Sequence, residues 1–305
     1  MLLVVLVIAG MQVGDAVAQT TTSSGTTLER SLSFDGLERT FRVHVPDAIA
    51  PASGYPALIV LHGGTGNGRQ IERSSGFSEL ADQFGFVAVY PDGTGSVDMR
   101  YTWNADNCCG FAHRQDVDDV GFISALIDEL IANYDVDPSR VYVTGFSNGA
   151  MMTFRLACEL SDRIAAAAPY AGALNTDSCA ATNPVPILIM NGDADQNVPV
   201  AGGTSDERGS ASQAERIDNP TAFAVQTWVQ IDACSGSPVS TNDTEALVTT
   251  YSGCAGGTEV EQVLIHGWDH HWPSIANGSP VDGAAMIWAF VSRFSNGAAT
   301  PTVSN

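Results

Sequence analysis

Residues 141–160 read Val-Tyr-Val-Thr-Gly-Phe-Ser-Asn-Gly-Ala-Met-Met-Thr-Phe-Arg-Leu-Ala-Cys-Glu-Leu. A short apolar run at 141–144 reads as a buried strand, and 150–160 reads as a helix. Between them stands Gly145-Phe146-Ser147-Asn148-Gly149, a G-x-S-x-G turn between strand and helix. A turn that tight leaves no room for side chains at its flanking positions, hence glycine at both. It holds the central serine in a strained backbone conformation with its oxygen exposed, while the following helix aims its amide dipoles at the same spot. Ser147 is therefore the candidate nucleophile.

A serine hydroxyl needs a base, and the base needs an orienting acid. After such an elbow the order along the chain is serine, acid, histidine. The strand at 187–190 runs into Gly-Asp-Ala-Asp-Gln-Asn-Val-Pro at 192–199, where Asp193 and Asp195 compete. Asp195 is preferred because it sits in the loop beyond the turn; Asp193, in the turn itself, better fits an aspartate that caps its own backbone. Downstream lie His266, at the end of a strand, and the adjacent His270 and His271, in a loop. His270 is taken as the base, with His271 second. The oxyanion needs two backbone N–H donors: Asn148, after the nucleophile, and Gly64 in the loop His62-Gly63-Gly64-Thr65-Gly66, with Thr65 next. That glycine-rich loop has neither the lysine nor the spacing of a phosphate loop. Trp103, Trp268 and Trp272 are candidates for lining the substrate pocket. No cofactor is called for, and no metal site: adjacent histidines rarely both face one ion, and no third ligand stands nearby. The acidic run Asp116, Asp118, Asp119 is read as stabilising a helix N-terminus.

Outward from the elbow, further strands are expected at 40–45, 57–61, 86–90, 164–168, 187–190 and 260–265. Helices are expected at 77–84, 118–134, 221–231 and 284–294. Alternating strands and helices, with several strands apolar throughout, imply an α/β fold: a mostly parallel sheet with helices on both faces. The expected organisation is an export signal at 1–18, a flexible tether at 19–29, one catalytic domain at 30–294 with a possible lid or loop at 201–220, and a disordered tail at 295–305.

The chain has 305 residues and a formal net charge of −21. All 13 basic residues are arginine. Nucleic-acid binding depends on Lys and Arg neutralising phosphates, so it is excluded as a function class, and anionic membrane surfaces would repel such a chain. The apolar run at 2–9, followed by Ala16-Val17-Ala18, has the small-x-small pattern of a signal cleavage site and is too short to span a bilayer. Six cysteines in an exported protein, none spaced C-x-x-C, fit disulfides. Cys234–Cys254 is the expected pair, since a bridge there would staple a short Gly/Ser/Thr-rich segment.

Together these motifs resemble the α/β-hydrolase esterases grouped with polyhydroxybutyrate depolymerases, and their relatives the feruloyl and acetylxylan esterases. The resemblance rests on 61–64 (LHGG), 90–93 (YPDG), 103–110 (WNADNCCG), 117–122 (VDDVGF), 136–152 (VDPSRVYVTGFSNGAMM), 192–199 (GDADQNVP) and 270–273 (HHWP). It implies the α/β-hydrolase fold, Ser147 as nucleophile, Asp195 as acid, His270 as base and Gly64 as an oxyanion donor. It further implies a secreted carboxylic ester hydrolase without a cofactor, acting on hydroxyalkanoate polyester or oligomer, or alternatively on feruloyl or acetylxylan esters of plant polysaccharide. Relatives carry a glycine-rich run before the histidine, where this chain has Gly267-Trp268-Asp269. A reading from a different class, a non-catalytic polymer-binding protein on a hydrolase fold, leaves an intact serine, acid and histidine without a purpose.

Overall fold

The structure is a computed structural model and describes residues 24–176, 178–204 and 216–296. The expected signal, most of the tether, the centre of the 201–220 loop and most of the tail lie outside the described residues. The chain opens with an antiparallel pair, β1 (Thr26–Phe34) and β2 (Leu37–Val45), followed by β3 (Tyr55–Leu61). Next come α1 (Gly68–Ser75), α2 (Phe77–Phe84), β4 (Val87–Pro91), the small hairpin β5 (Thr94–Val97) and β6 (Arg100–Thr102), and α3 (Gly110–Arg114). The middle contains α4 (Asp119–Asn133), β7 (Val136–Phe146), α5 (Asn148–Glu159), β8 (Ala166–Tyr170) and β9 (Ile187–Gly192). The last part holds α6 (Thr221–Ile231), β10 (Val239–Asn242), β11 (Ala246–Tyr251), β12 (Val260–Ile265) and α7 (Gly283–Val291).

Among the described residues the main sheet has ten strands in the order β1-β2-β4-β3-β7-β8-β9-β12-β11-β10. The six central strands, β4 to β12, are parallel, and two antiparallel strands finish each edge. Alternation along β3 shows how the sheet is buried on both sides. Ala57, Ile59 and Leu61 join one apolar cluster with α4, α5 and α6, while Leu58 and Val60 join another with α1, α2 and α7. The run of apolar residues at 57–61 follows directly, since neither face meets water.

All seven expected strands and all five expected helices, including the strand and helix of the elbow, are present within a few residues. One boundary is corrected. The tether was expected to extend to residue 29, but β1 begins at Thr26 and pairs Thr26–Phe34 with Leu37–Val45. Thr26–Phe34 is largely polar, and its strand character comes from backbone pairing at the sheet edge. Of the acidic run, Asp118 caps α4 by accepting from Gly121 N–H. Asp119 instead forms a fully buried ion pair with Arg39 at 2.7 Å. All six cysteines are paired: Cys234–Cys254 as expected, with Cys158–Cys179 and the neighbours Cys108–Cys109. No helix among the described residues is long and apolar enough to cross a membrane.

Asp232, at the end of α6, is a local weak point. It is fully buried; one carboxylate oxygen accepts from Val185 N–H at 3.1 Å, and the Thr258 hydroxyl offsets only part of the burial. Burial pushes its carboxyl up to about 6 from an ordinary 3.8. Between those values the folded chain holds a proton that the unfolded chain has released, so this group's contribution to stability grows as pH falls from 6 towards 3.8. Asp232→Asn mimics the protonated acid. It is expected to raise the unfolding free energy at pH 8 by up to about 3 kcal/mol, with the gain shrinking towards pH 4, as checked by urea denaturation at several pH values.

Candidate active site

The elbow between β7 and α5 is shaped as its glycines require. A Cβ on Gly145 would overlap the Gly149 carbonyl, and one on Gly149 would overlap the carbonyls of Leu61 and His62. Ser147 sits between them at φ 55°, ψ −117°, a conformation costly for any side-chain-bearing residue. Its Oγ lies 2.9 Å from His270 Nε2, and His270 Nδ1 lies 2.7 Å from Asp195 Oδ2. An ionised Asp195 only accepts, so Nδ1 carries the proton and Nε2 is left to receive one from Ser147.

Asp195 is 2% exposed, and its other oxygen accepts from the N–H groups of Asn197 and Val198 at 2.8 and 2.9 Å. The expected division of labour between the two aspartates is corrected here. The aspartate bonded to its own following backbone is Asp195, whereas Asp193 reaches across to Gly267 N–H and His266 Nδ1 at 2.7 and 2.9 Å. The bond from His266 holds the Asp193 carboxyl below its usual range. The two rejected residues thus pair with each other and tie the loop after β9 to the loop after β12. His271 is exposed and faces Asp269. Its carbonyl accepts from Tyr170 Oη at 2.6 Å and Trp268 Nε1 at 2.8 Å, which fixes the backbone next to His270.

Gly64 lies opposite Asn148: a Cβ placed on it would stand 3.8 Å from Asn148 Cβ. Two cavities meet at this point. One, about 260 Å³, is lined by Gly64, Phe146, Ser147, Asn197, Arg216 and His270 among others. The second, about 270 Å³, lies beyond the Gly63–Gly64 loop and includes Gln70, Ile71, His271, Trp272 and Asn277. Phe146 and His270 belong to both walls. A larger recess of about 710 Å³ around Asp106 and Glu159 contains none of the candidate residues.

Of the three tryptophans, Trp272 lines the second cavity. Trp268 is half-buried and lines neither. Trp103 is corrected: it is fully buried behind the loops and lines neither cavity. Its indole N–H donates to His62 O, and its backbone bonds the Asn148 side chain. Phe146, Asn197, Arg216 and Gln70 had drawn no separate attention in the sequence. Phe146 and Asn197 sit inside motifs already quoted, but Arg216 and Gln70 carry no local signal. Among the described residues no group of three His, Cys, Asp or Glu side chains could hold a metal ion.

A model of the family described as Esterase PHB depolymerase matches residues 40–211, and a relative described as "Putative esterase NocK" from Nocardia uniformis subsp. tsuyamanensis is 31% identical over 82% of this chain and 75% of its own. The chain belongs to this esterase family. As a member it is a carboxylic ester hydrolase. "Feruloyl esterase B" from Piromyces equi is 32% identical over 83% of this chain, and "Poly(3-hydroxyalkanoate) depolymerase C" from Paucimonas lemoignei is 29% identical over 78%. The matched regions cover 45% and 54% of those two longer proteins. A solved acetyl xylan esterase from Aspergillus awamori superimposes with a TM-score of 0.61 over 87% of this chain and 99% of its own, at 16% identity. That likeness shows the α/β-hydrolase fold.

Proposed function

We propose that this esterase works through an acyl-enzyme on Ser147. The observation that carries this reading is the continuous path Asp195–His270–Ser147, 2.7 and 2.9 Å between partners, beside the facing backbones of Gly64 and Asn148. Ser147 Oγ attacks the ester carbonyl as His270 Nε2 takes its proton, and Asp195 stabilises the imidazolium that forms. The carbonyl oxygen, now negative, accepts from the Gly64 and Asn148 N–H groups. His270 returns the proton to the leaving alcohol, then activates a water that releases the acid.

For the substrate we infer a hydroxyalkanoate polyester or oligomer. Cavities on two sides of the catalytic pair suit an ester with sizeable groups on both the acyl and the alcohol side. Relatives named as depolymerases support this reading. The relative named a feruloyl esterase, slightly more similar, supports a second: a feruloyl or acetylxylan ester of plant polysaccharide. We further infer export, from the cleavage pattern at 16–18 and the three disulfides.

Hydrolysis of hydroxybutyrate oligomers, amorphous polyhydroxybutyrate, methyl ferulate and acetylated xylan separates the two readings, using protein starting at Gln19. The expected result is the highest kcat/KM on the hydroxybutyrate oligomers. A higher value on methyl ferulate or acetylated xylan would reverse the order of the readings while leaving the mechanism in place.

A further inference from the structure

The two oxyanion donors sit on different loops, one after β3 and one at the start of α5, yet a hole of fixed width needs them held at one spacing. A buried run of hydrogen bonds joins them. The Asn148 side chain grips the Trp103 backbone from both sides: its Oδ1 accepts from Trp103 N–H at 2.8 Å, and its Nδ2 donates to Trp103 O at 3.1 Å. The Trp103 indole N–H donates to His62 O at 3.0 Å. His62 Nδ1 then bonds the carbonyl of the next residue, Gly63, at 2.8 Å, while His62 Nε2 is bonded by Gly93 N–H at 3.0 Å.

The tautomer of His62 follows from its partners. A backbone N–H only donates, so Nε2 is the acceptor and Nδ1 carries the proton that goes to Gly63 O. Burial also pushes the ring down to about 4, so it stays neutral at ordinary pH. Gly66 N–H supplies a second bond to the Gly63 carbonyl at 3.0 Å. The Gly63–Gly64 peptide is planar and trans, so drawing its oxygen one way turns Gly64 N–H the opposite way. Beyond Trp103, Asn104 N–H bonds Asp119, which is paired with Arg39 in the core. This anchors the middle of the bridge to a rigid part of the fold.

We propose that Trp103, with the side chains of Asn148 and His62, forms a bridge that sets the spacing and direction of the two oxyanion-hole N–H groups. The three side chains are positioning groups that act through the backbone of Asn148 or Gly64; Trp103 lines neither cavity, while Asn148 and His62 each stand in the wall of one. The proposal rests on the acyl-enzyme reading and adds a role for residues that reading does not use.

The test is Trp103→Phe, which removes the bridging N–H and keeps aromatic bulk, together with Asn148→Ala. Wild type and variants are compared on a soluble short-chain ester and with a trifluoromethyl ketone, which adds to the serine and places an oxyanion in the hole. For each variant we expect kcat lower by about tenfold to a hundredfold, KM within about twofold, and ketone affinity reduced by a factor similar to the loss in kcat. The double variant should fall no further than the weaker single one, since both cuts break the same chain. A purely structural role would lower the melting temperature without separating kcat from KM. Wild-type kcat and ketone affinity in folded Trp103→Phe would overturn the bridge. Should that variant fail to fold, Asn148→Ala decides on the same two readouts. Full turnover in Ser147→Ala would instead overturn the acyl-enzyme reading itself.

Discussion

Ser147→Ala is expected to lower kcat/KM on a soluble short-chain ester by about 10⁴ or more, measured beside wild type on the same preparation scale. The factor is large because the chemical step loses its nucleophile while the rest of the site remains. In the proposed mechanism Gly64 and Asn148 would still polarise a bound carbonyl, so a residue of catalysis above the background rate is expected too. The fold should be little disturbed. Ser147 Oγ has His270 as its hydrogen-bond partner, and alanine tolerates the positive φ at the elbow no worse than serine does. A melting temperature near wild type together with the rate loss separates chemistry from folding.

The second large effect is Asp195→Asn, expected to lower kcat by about 10⁴. The structure gives the reason atom by atom. Asp195 Oδ1 accepts from two backbone N–H groups, at Asn197 and Val198. An asparagine would keep its oxygen there and turn its NH₂ towards His270 Nδ1. The imidazole must then accept at Nδ1 and carry its proton on Nε2, the tautomer that cannot receive one from Ser147. Asp193→Asn is the matched control. Asp193 is 40% exposed on its side chain and paired with His266, itself 33% exposed, an arrangement of little energetic weight. Its kcat should stay within about threefold of wild type. Equal losses in the two variants would contradict the assignment of Asp195.

The elbow was legible because its requirements are local: a Cβ at Gly145 or Gly149 collides with backbone inside the same five residues and the strand beside them. Asp195 and His270 were legible from their place after β9 and β12, at the carboxyl edge of parallel strands where such sites assemble. Asp195 does lie 2.7 Å from His270, although the turn bonding expected of Asp193 is its own. Trp103 was misplaced because an aromatic among polar residues gives no sign of which way its ring faces. Its complete burial and its bonds to His62 and Asn148 show that it faces inward. Edge elements were the hardest to read. β10 is exposed at every position and α1 buries Gly68, Ile71 and Ser75, with Ile71 its one apolar contribution to the core. Their order comes from pairing and capping, which hydrophobic periodicity does not record. Arg216 reaches the first cavity from a stretch with no apolar pattern, and Gln70 reaches the second from α1.

The central claim is that ester cleavage passes through a covalent bond to Ser147. It is tested most directly by titrating the protein with a fluorophosphonate and mapping the adduct by peptide mass spectrometry. The account predicts loss of esterase activity in proportion to labelling, complete at one phosphonyl group per chain, on the peptide containing Ser147, and no labelling of Ser147→Ala. Full inactivation with the label on another residue, or a fully labelled Ser147 that leaves ester hydrolysis intact, would contradict it.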